Sequence, residues 1–167
     1  MSRHRHRAAT SHRPEGPSLT SFDEALRALL RSERQGLLST ISLRHPGYPF
    51  GSVVPYALFE TGEPVLYLSQ LAVHTQNLIS DPRSSLLVSD SASPELQPAR
   101  ATLIGTCRPL AGEMQEAARR AFASRHPQSE ALALPGFSAF LLHVEEVRWV
   151  GGFAAAAWLR GDAVRGS

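Results

Sequence analysis

Between Gly36 and Gln70 the chain carries three apolar, β-prone runs joined by connections too short to hold a helix. GLLSTISL is followed by the Gly/Pro-rich turn HPGYPFG, then SVVPYALFE, the turn Thr61-Gly62-Glu63, and PVLYLSQ. Parallel neighbours need a crossover of about a dozen residues or more, so strands this closely spaced must run antiparallel. A meander or small closed barrel is the architecture that follows.

The remaining segments fit around such a barrel. Ser21-Phe22-Asp23-Glu24 reads as a capping box opening an amphipathic helix, with Phe22, Ala25, Leu26, Leu29 and Leu30 on one face and Gln35-Gly36 ending it. A short helix is expected over 72–80, stopped by Asp81-Pro82, then a strand over Ser84–Ser89 and a polar loop over 90–98. ARATLIGTCRPL reads as a long strand in which Gly105 marks a bulge or a close backbone approach. A further helix spans Gly112–Arg125, with Met114, Ala117, Ala118, Ala121 and Phe122 on one face; FSAFLLHVEEVRWV is the last clear strand, before GGFAAAAWL. With no βαβ alternation, the class is α+β, mainly β: a six-stranded antiparallel barrel with peripheral helices. One domain is expected over 19–160, between a disordered tail at 1–18 and a flexible C-terminus at 161–167.

Charge is unevenly distributed. Arg3, Arg5, Arg7 and Arg13 give residues 1–14 four positive charges and no acid, whereas the rest has 13 Arg against 15 acidic residues. The sequence pI of 9.2 therefore reflects the tail, and the folded part is mildly acidic, which argues against a nucleic-acid partner. The tail either is a solvated leader or touches RNA or a metal through His4, His6 and His12. The histidines of the folded part, His45, His126 and His143 included, show no metal-ligand spacing. No apolar run approaches the roughly 20 residues of a membrane span, and no apolar segment follows the N-terminal arginines as in a secretory signal. A cytoplasmic location is expected. The single cysteine, Cys107, lies in a strand pattern and reads as a buried, inert thiol. All 17 basic residues are Arg, which excludes chemistry built on an in-chain Schiff-base or P-loop lysine.

Candidate chemistry gathers where PVLYLSQ meets the helix over 72–80. Ser69 closes the strand, and His74, Thr75 and Asn77 follow at the start of the helix, where unpaired N–H groups and the positive end of the dipole attract anions. The same residue types also make ordinary helix caps, and both readings stand at this level.

Six segments in order, GLLSTIS, PFGSVVPYA, YLSQLAVHTQNLISDPRSSLLV, ARATLIG, SRHPQS and VRWVGGF, resemble the flavin-binding split-barrel family that includes pyridoxamine 5′-phosphate oxidase, over about residues 20–160. The branch of haem-utilisation proteins and their secreted relatives is the most similar. The resemblance implies FMN held in a groove between two subunits of a homodimer. It implies a cofactor site of Ser52, Ser69, His74, Thr75, Asn77, Arg100, Trp149 and Gly152. The oxidases hold the phosphate with an Arg on the second strand and an Arg-Lys pair at the helix start; here those places are Ser52 and Val73-His74. Arg100 would face the flavin, with surface ion pairing as the alternative; Trp149 would contact it, with a core role as the alternative.

Resemblance also bounds the activity. The Arg-Leu-His-Asp-Arg run of the oxidases is replaced by FAAAAWL, a substrate-side Lys by Ala57 and a Tyr by Ala121, while Arg125 and Ser129 match two substrate phosphate contacts. Pyridoxamine phosphate oxidation is therefore not expected. An FMN-dependent oxidoreductase on an unidentified small substrate is the leading expectation. The alternatives are a non-enzymatic flavin- or haem-binding module and a haem-degrading relative, although the C-terminal domain of such relatives is missing. No catalytic residue and no metal site is assigned.

Overall fold

The computed structural model describes residues 19–128, 136–151 and 155–165. The elements are helix α1 (Leu19–Ser32), strands β1 (Gln35–Ile41), β2 (Pro49–Leu58) and β3 (Pro64–Ser69), helix α2 (Val73–Ser80), strands β4 (Arg83–Ser89) and β5 (Arg100–Pro109), helix α3 (Gly112–Arg125), and strands β6 (Phe137–Val150) and β7 (Ala156–Arg160). A 3-10 turn over Gly161–Val164 follows β7.

The strands run in the order β3-β2-β1-β4-β5-β6-β7, all antiparallel, and β3 also pairs with β6. That extra pairing closes six strands into the expected barrel. Closure is possible because β6 is long enough to divide one of its edges. Residues Phe137–Leu141 pair with β3, while Glu146–Val150 pair with β7, a short seventh strand outside the ring. The opposite edge of β6 pairs with β5 from Phe140 to Val150.

The register is interrupted between Ile104 and Gly105, the bulge expected from the glycine. A Cβ at Gly105 would lie 1.9 Å from the His143 carbonyl oxygen, so only glycine fits this crossing.

Alternation sets the core. Leu38, Leu86, Leu103, Val147 and Leu159 form one continuous inward row from β1 to β7, and all are buried. Helix α1 adds Leu26, Leu29 and Leu30 to the same core. It starts at Leu19, so Ser21 lies inside the helix and is not its cap; it also ends at Ser32, and Gln35-Gly36 already belong to β1. Strand pairing decides that second boundary, because Gln35 and Gly36 are captured opposite Pro55 and Val54 of β2. On α3, Ala118 and Phe122 are buried, but Met114, expected on the same face, is exposed.

A buried carboxylate ties the C-terminal segment to the barrel. Glu63, in the β2–β3 turn, accepts from the Val144 N–H (3.2 Å), His143 Nδ1 (3.0 Å), Arg165 Nη1 (2.9 Å) and Thr61 Oγ1 (3.1 Å). Four donors for one buried carboxylate compensate its desolvation. Cys107 is buried, and desolvation pushes its thiol up to about 12, in keeping with an inert core role. The tail at 1–18 lies outside the described residues, and no described helix is long and apolar enough to cross a membrane.

Two outcomes are expected. Gly105→Ala forces backbone apart at the β5–β6 crossing and lowers stability by about 1–3 kcal/mol in urea unfolding. Cys107 reacts with a disulfide reagent only at the rate of unfolding, and rapid labelling of the native protein would contradict its packing.

Candidate functional site

The corner where β3 passes into α2 runs Ser69-Gln70-Leu71-Ala72-Val73-His74, with Leu71 and Val73 exposed. The Ala72 N–H donates to the Ser69 carbonyl at 3.1 Å, which turns the chain out of the strand, and Ser69 Oγ accepts from the Leu71 N–H at 3.3 Å. Ala72 occupies the N-cap and supplies no side-chain cap, so the first N–H groups of α2 keep an open, electropositive end.

Asn77 anchors that helix. Its Nδ2 donates to Thr40 Oγ1 at 2.9 Å, and its Oδ1 accepts from the Leu43 N–H at 2.9 Å. Thr40 Oγ1 in turn donates to the Phe50 carbonyl at 3.3 Å. A buried polar chain thus joins α2, β1 and β2, and Asn77 spends its amide on holding the helix in place. Two residues earlier, Thr75 is fully buried and its Oγ1 has no hydrogen-bond partner. An unmade bond of this kind costs about 1–3 kcal/mol. His74 beside it is half-buried, and desolvation lowers its pKa from the ordinary 6.5, so the imidazole is neutral at pH 7.

Ser52 lies on β2 opposite Leu38 of β1, with its side chain on the barrel-facing side of the sheet and half-buried. The β2–β3 register, Tyr56 opposite Leu66, would place Ser52 beside Gln70 if the pairing continued. Ser69, His74, Thr75 and Asn77 thus share one corner, and the register points Ser52 toward it.

Arg100 and Trp149 do not join them. Arg100 begins β5, pairs with Ser89 and Val150, and donates from Nη1 to the Pro98 carbonyl at 3.2 Å. Trp149 packs between Ala101 and Ala157 in the core, where its Nε1 is buried without a partner. The α2 end of β5 lies at Thr106, opposite Arg83. Six residues of strand separate it from Arg100, about 20 Å at 3.3 Å per residue. Gly152 lies outside the described residues, as does Ser129.

Sequence reasoning missed the role of Arg125. Its Nη2 donates to the carbonyls of Arg31 (2.7 Å), Leu30 (3.4 Å) and Glu33, and the guanidinium lies 5.8 Å from the centre of the Tyr56 ring. The side chain is the C-terminal cap of α1, committed to backbone and not presented to a substrate phosphate. Tyr56 donates its hydroxyl to the same Leu30 carbonyl at 2.8 Å. A basic residue in the last turn of α3 carries no sequence signal that its partner is another helix's end.

Residues 20–163 match the family described as the CREG β-barrel. The chain is 35% identical over 147 residues to the non-canonical heme oxygenase HOZ, chloroplastic, of Arabidopsis thaliana, covering 87% of this chain and 45% of that protein. It is 33% identical to a heme binding protein from Mycobacterium smegmatis, with a TM-score of 0.78 over 90% of this chain and 61% of that one. A Clostridium acetobutylicum protein of the pyridoxinephosphate oxidase family, 14% identical, shares the fold alone, with a TM-score of 0.65 over 87% of this chain and 98% of that one. This chain therefore spans less than half the length of the curated relative it matches.

The corner's geometry has measurable consequences. Asn77→Ala leaves the Leu43 N–H and the Thr40 hydroxyl short of a partner, and it lowers unfolding stability by about 1–3 kcal/mol. His74 binds a proton less readily folded than unfolded, so its contribution to stability falls as pH drops through 6.5. Replacing His74→Gln removes part of the acid-side slope between pH 7.5 and 5.5; an unchanged slope would show that His74 is not held neutral.

Proposed function

The chain belongs to the CREG β-barrel family, and from that premise we propose that it is an FMN-binding protein acting as an oxidoreductase on a small substrate, with the flavin phosphate held at the start of α2. The observation that carries this reading is the buried, unpartnered Thr75 hydroxyl at a helix start with no side-chain cap. A phosphate oxygen would accept from that hydroxyl and from the first N–H groups of the helix, relieving both deficits together. Ser52 and Ser69 would add hydroxyl donors, and His74 a neutral imidazole. Bound flavin supplies hydride transfer; the protein orients it and sets the surrounding field.

The distance between Arg100 and the α2 corner supports a homodimer. A cofactor touching both groups draws them from two copies. The outer face of the sheet suits such a contact: Val53, Leu37, Leu87, Thr102, Arg148 and Trp158 form one row across it by register. Val53 is 67% and Trp158 56% exposed, and the Arg148 guanidinium lies 5.4 Å from the Trp158 ring centre. Exposed apolar side chains aligned in this way favour burial against another protein surface. Pyridoxamine phosphate oxidation is not proposed, since Ala57 and Ala121 lack polar groups and Arg125 caps α1.

Haem binding is the second reading. It is favoured by the two relatives at 33–35% identity, one described as heme binding and one as a heme oxygenase. A neutral imidazole with an unengaged ring, as at His74, is the form that ligates iron. The cofactor is assigned by titration. FMN fluorescence is expected to quench saturably, and Thr75→Glu or Ser52→Asp to weaken binding tenfold or more, because a new carboxylate repels phosphate. Affinity unchanged in both variants would remove the α2 site. A Soret shift at stoichiometric haem that is lost in His74→Ala would favour the second reading. A strict monomer in sedimentation would remove the shared groove.

A further inference from the structure

One end of the barrel carries apolar side chains that the cofactor readings leave unused. The hairpin link from β1 to β2 is exposed at every residue from Leu43 to Pro49, and it presents Leu43 (55% exposed) and Tyr48 (69%). The Leu43 N–H donates to Asn77 Oδ1 at 2.9 Å, which fixes the link against α2. On α2 the buried residues are Thr75, Asn77 and Leu78, while Val73, Gln76 and Ile79 are exposed on the other side, Ile79 by 66%.

The backbone of this tip is largely satisfied from within. The Ser42 N–H donates to the Tyr48 carbonyl at 2.9 Å, the Tyr48 N–H to the His45 carbonyl at 3.1 Å, and the His45 N–H to Ser42 Oγ at 2.9 Å. With the Leu43 bond four N–H groups are engaged, and Pro46 and Pro49 have none, so six of the eight residues 42–49 present no free N–H. Unpaired backbone groups are what make an irregular segment costly to move out of water, and most of that cost is absent here. Charge on the two segments has one sign. No acidic residue occurs from Arg34 to Phe59 or from Pro64 to Ser80, while Arg44 and His45 stand at the tip. Asp81, just after α2, is held by Arg83 in an ion pair. An apolar tip with an aromatic ring and a cation beside it, and no acid, matches the boundary of a bilayer that contains anionic lipids. A second copy suits it less. The outer row that fits a homodimer crosses β1 at Leu37, six residues from Leu43 or about 20 Å of extended chain, so that contact does not require the tip.

We propose that this end of the barrel is a peripheral membrane-docking surface, in which Leu43 and Tyr48 enter the headgroup–acyl boundary of an anionic bilayer and Arg44 contacts the lipid phosphates. Ile79 adds apolar contact from α2. Docking of this kind needs no spanning segment, and it does not rest on the flavin reading.

Sedimentation of the full chain with phosphatidylcholine vesicles, with and without phosphatidylglycerol, tests the proposal. Binding to the anionic vesicles is expected. The double variant Leu43→Ser/Tyr48→Ser, which leaves the charge unchanged, weakens it about tenfold or more. Arg44→Gln weakens it about fivefold. Leu96→Ser, at an exposed leucine of the 90–98 loop, leaves it unchanged. An environment-sensitive fluorophore attached to the Tyr48→Cys variant is expected to shift to the blue on binding, and the buried Cys107 stays unlabelled. Failure to sediment with anionic vesicles would overturn the surface. So would full binding by the double variant, which would assign the attraction to the N-terminal arginines. A dimer that dissociates in the double variant, with no vesicle binding by the unaltered chain, would give the tip to a second copy and equally overturn it.

Discussion

Pairing of Val65–Ser69 with Phe137–Leu141 closes the sheet, and most of the molecule's other features depend on it. Without it, β3 would expose a row of unpaired backbone groups and the inward apolar rows would face an open trough. Closure constrains β6 to serve β5 on one edge and two different strands on the other. The bulge at Gly105 accommodates the crossing, and Glu63 collects the donors released where β6 passes from β3 toward β7. Gly161 approaches the Val144 carbonyl as closely as Gly105 approaches that of His143, so both close contacts converge on the middle of β6.

Closure also decides what the surface offers. Because β3 ends where it leaves β6, the chain turns there into α2 with a helix start that no side chain caps. The polar chain Asn77–Thr40–Phe50 then fixes this helix on the barrel. Thr75, two residues away, remains unsatisfied. Among the described residues the buried side-chain atoms left without a hydrogen-bond partner are the Thr75 hydroxyl, Arg125 Nε and the Trp149 indole N–H, which makes them the natural places to look for a ligand or a second copy.

Much of the fold was legible in the chain. The α3 and β6 boundaries, the inward face of α1 and the bulge at Gly105 follow from periodicity, glycine placement and loop length, all local quantities. Boundaries fixed by a partner were less legible. Pro49 and Phe50 read as turn but belong to β2 because β1 pairs with them, and Ser21 reads as a cap although α1 begins at Leu19. For the site, sequence order identified the corner residues but could not measure the distance from them to Arg100. The resemblance matched Arg125 to a substrate phosphate contact of the oxidases, whereas in this structure its Nη2 is engaged by the end of α1.

The sequence by itself determined an antiparallel barrel and pointed to the segment where an anion could bind, because short connections and alternation leave few topologies. Only the tertiary structure decided which polar atoms remain without partners, and that Arg100 and Trp149 lie one strand length from α2. Hydrogen-bond satisfaction and distance are properties of the closed sheet. They depend on which residues meet across it, which no local pattern encodes.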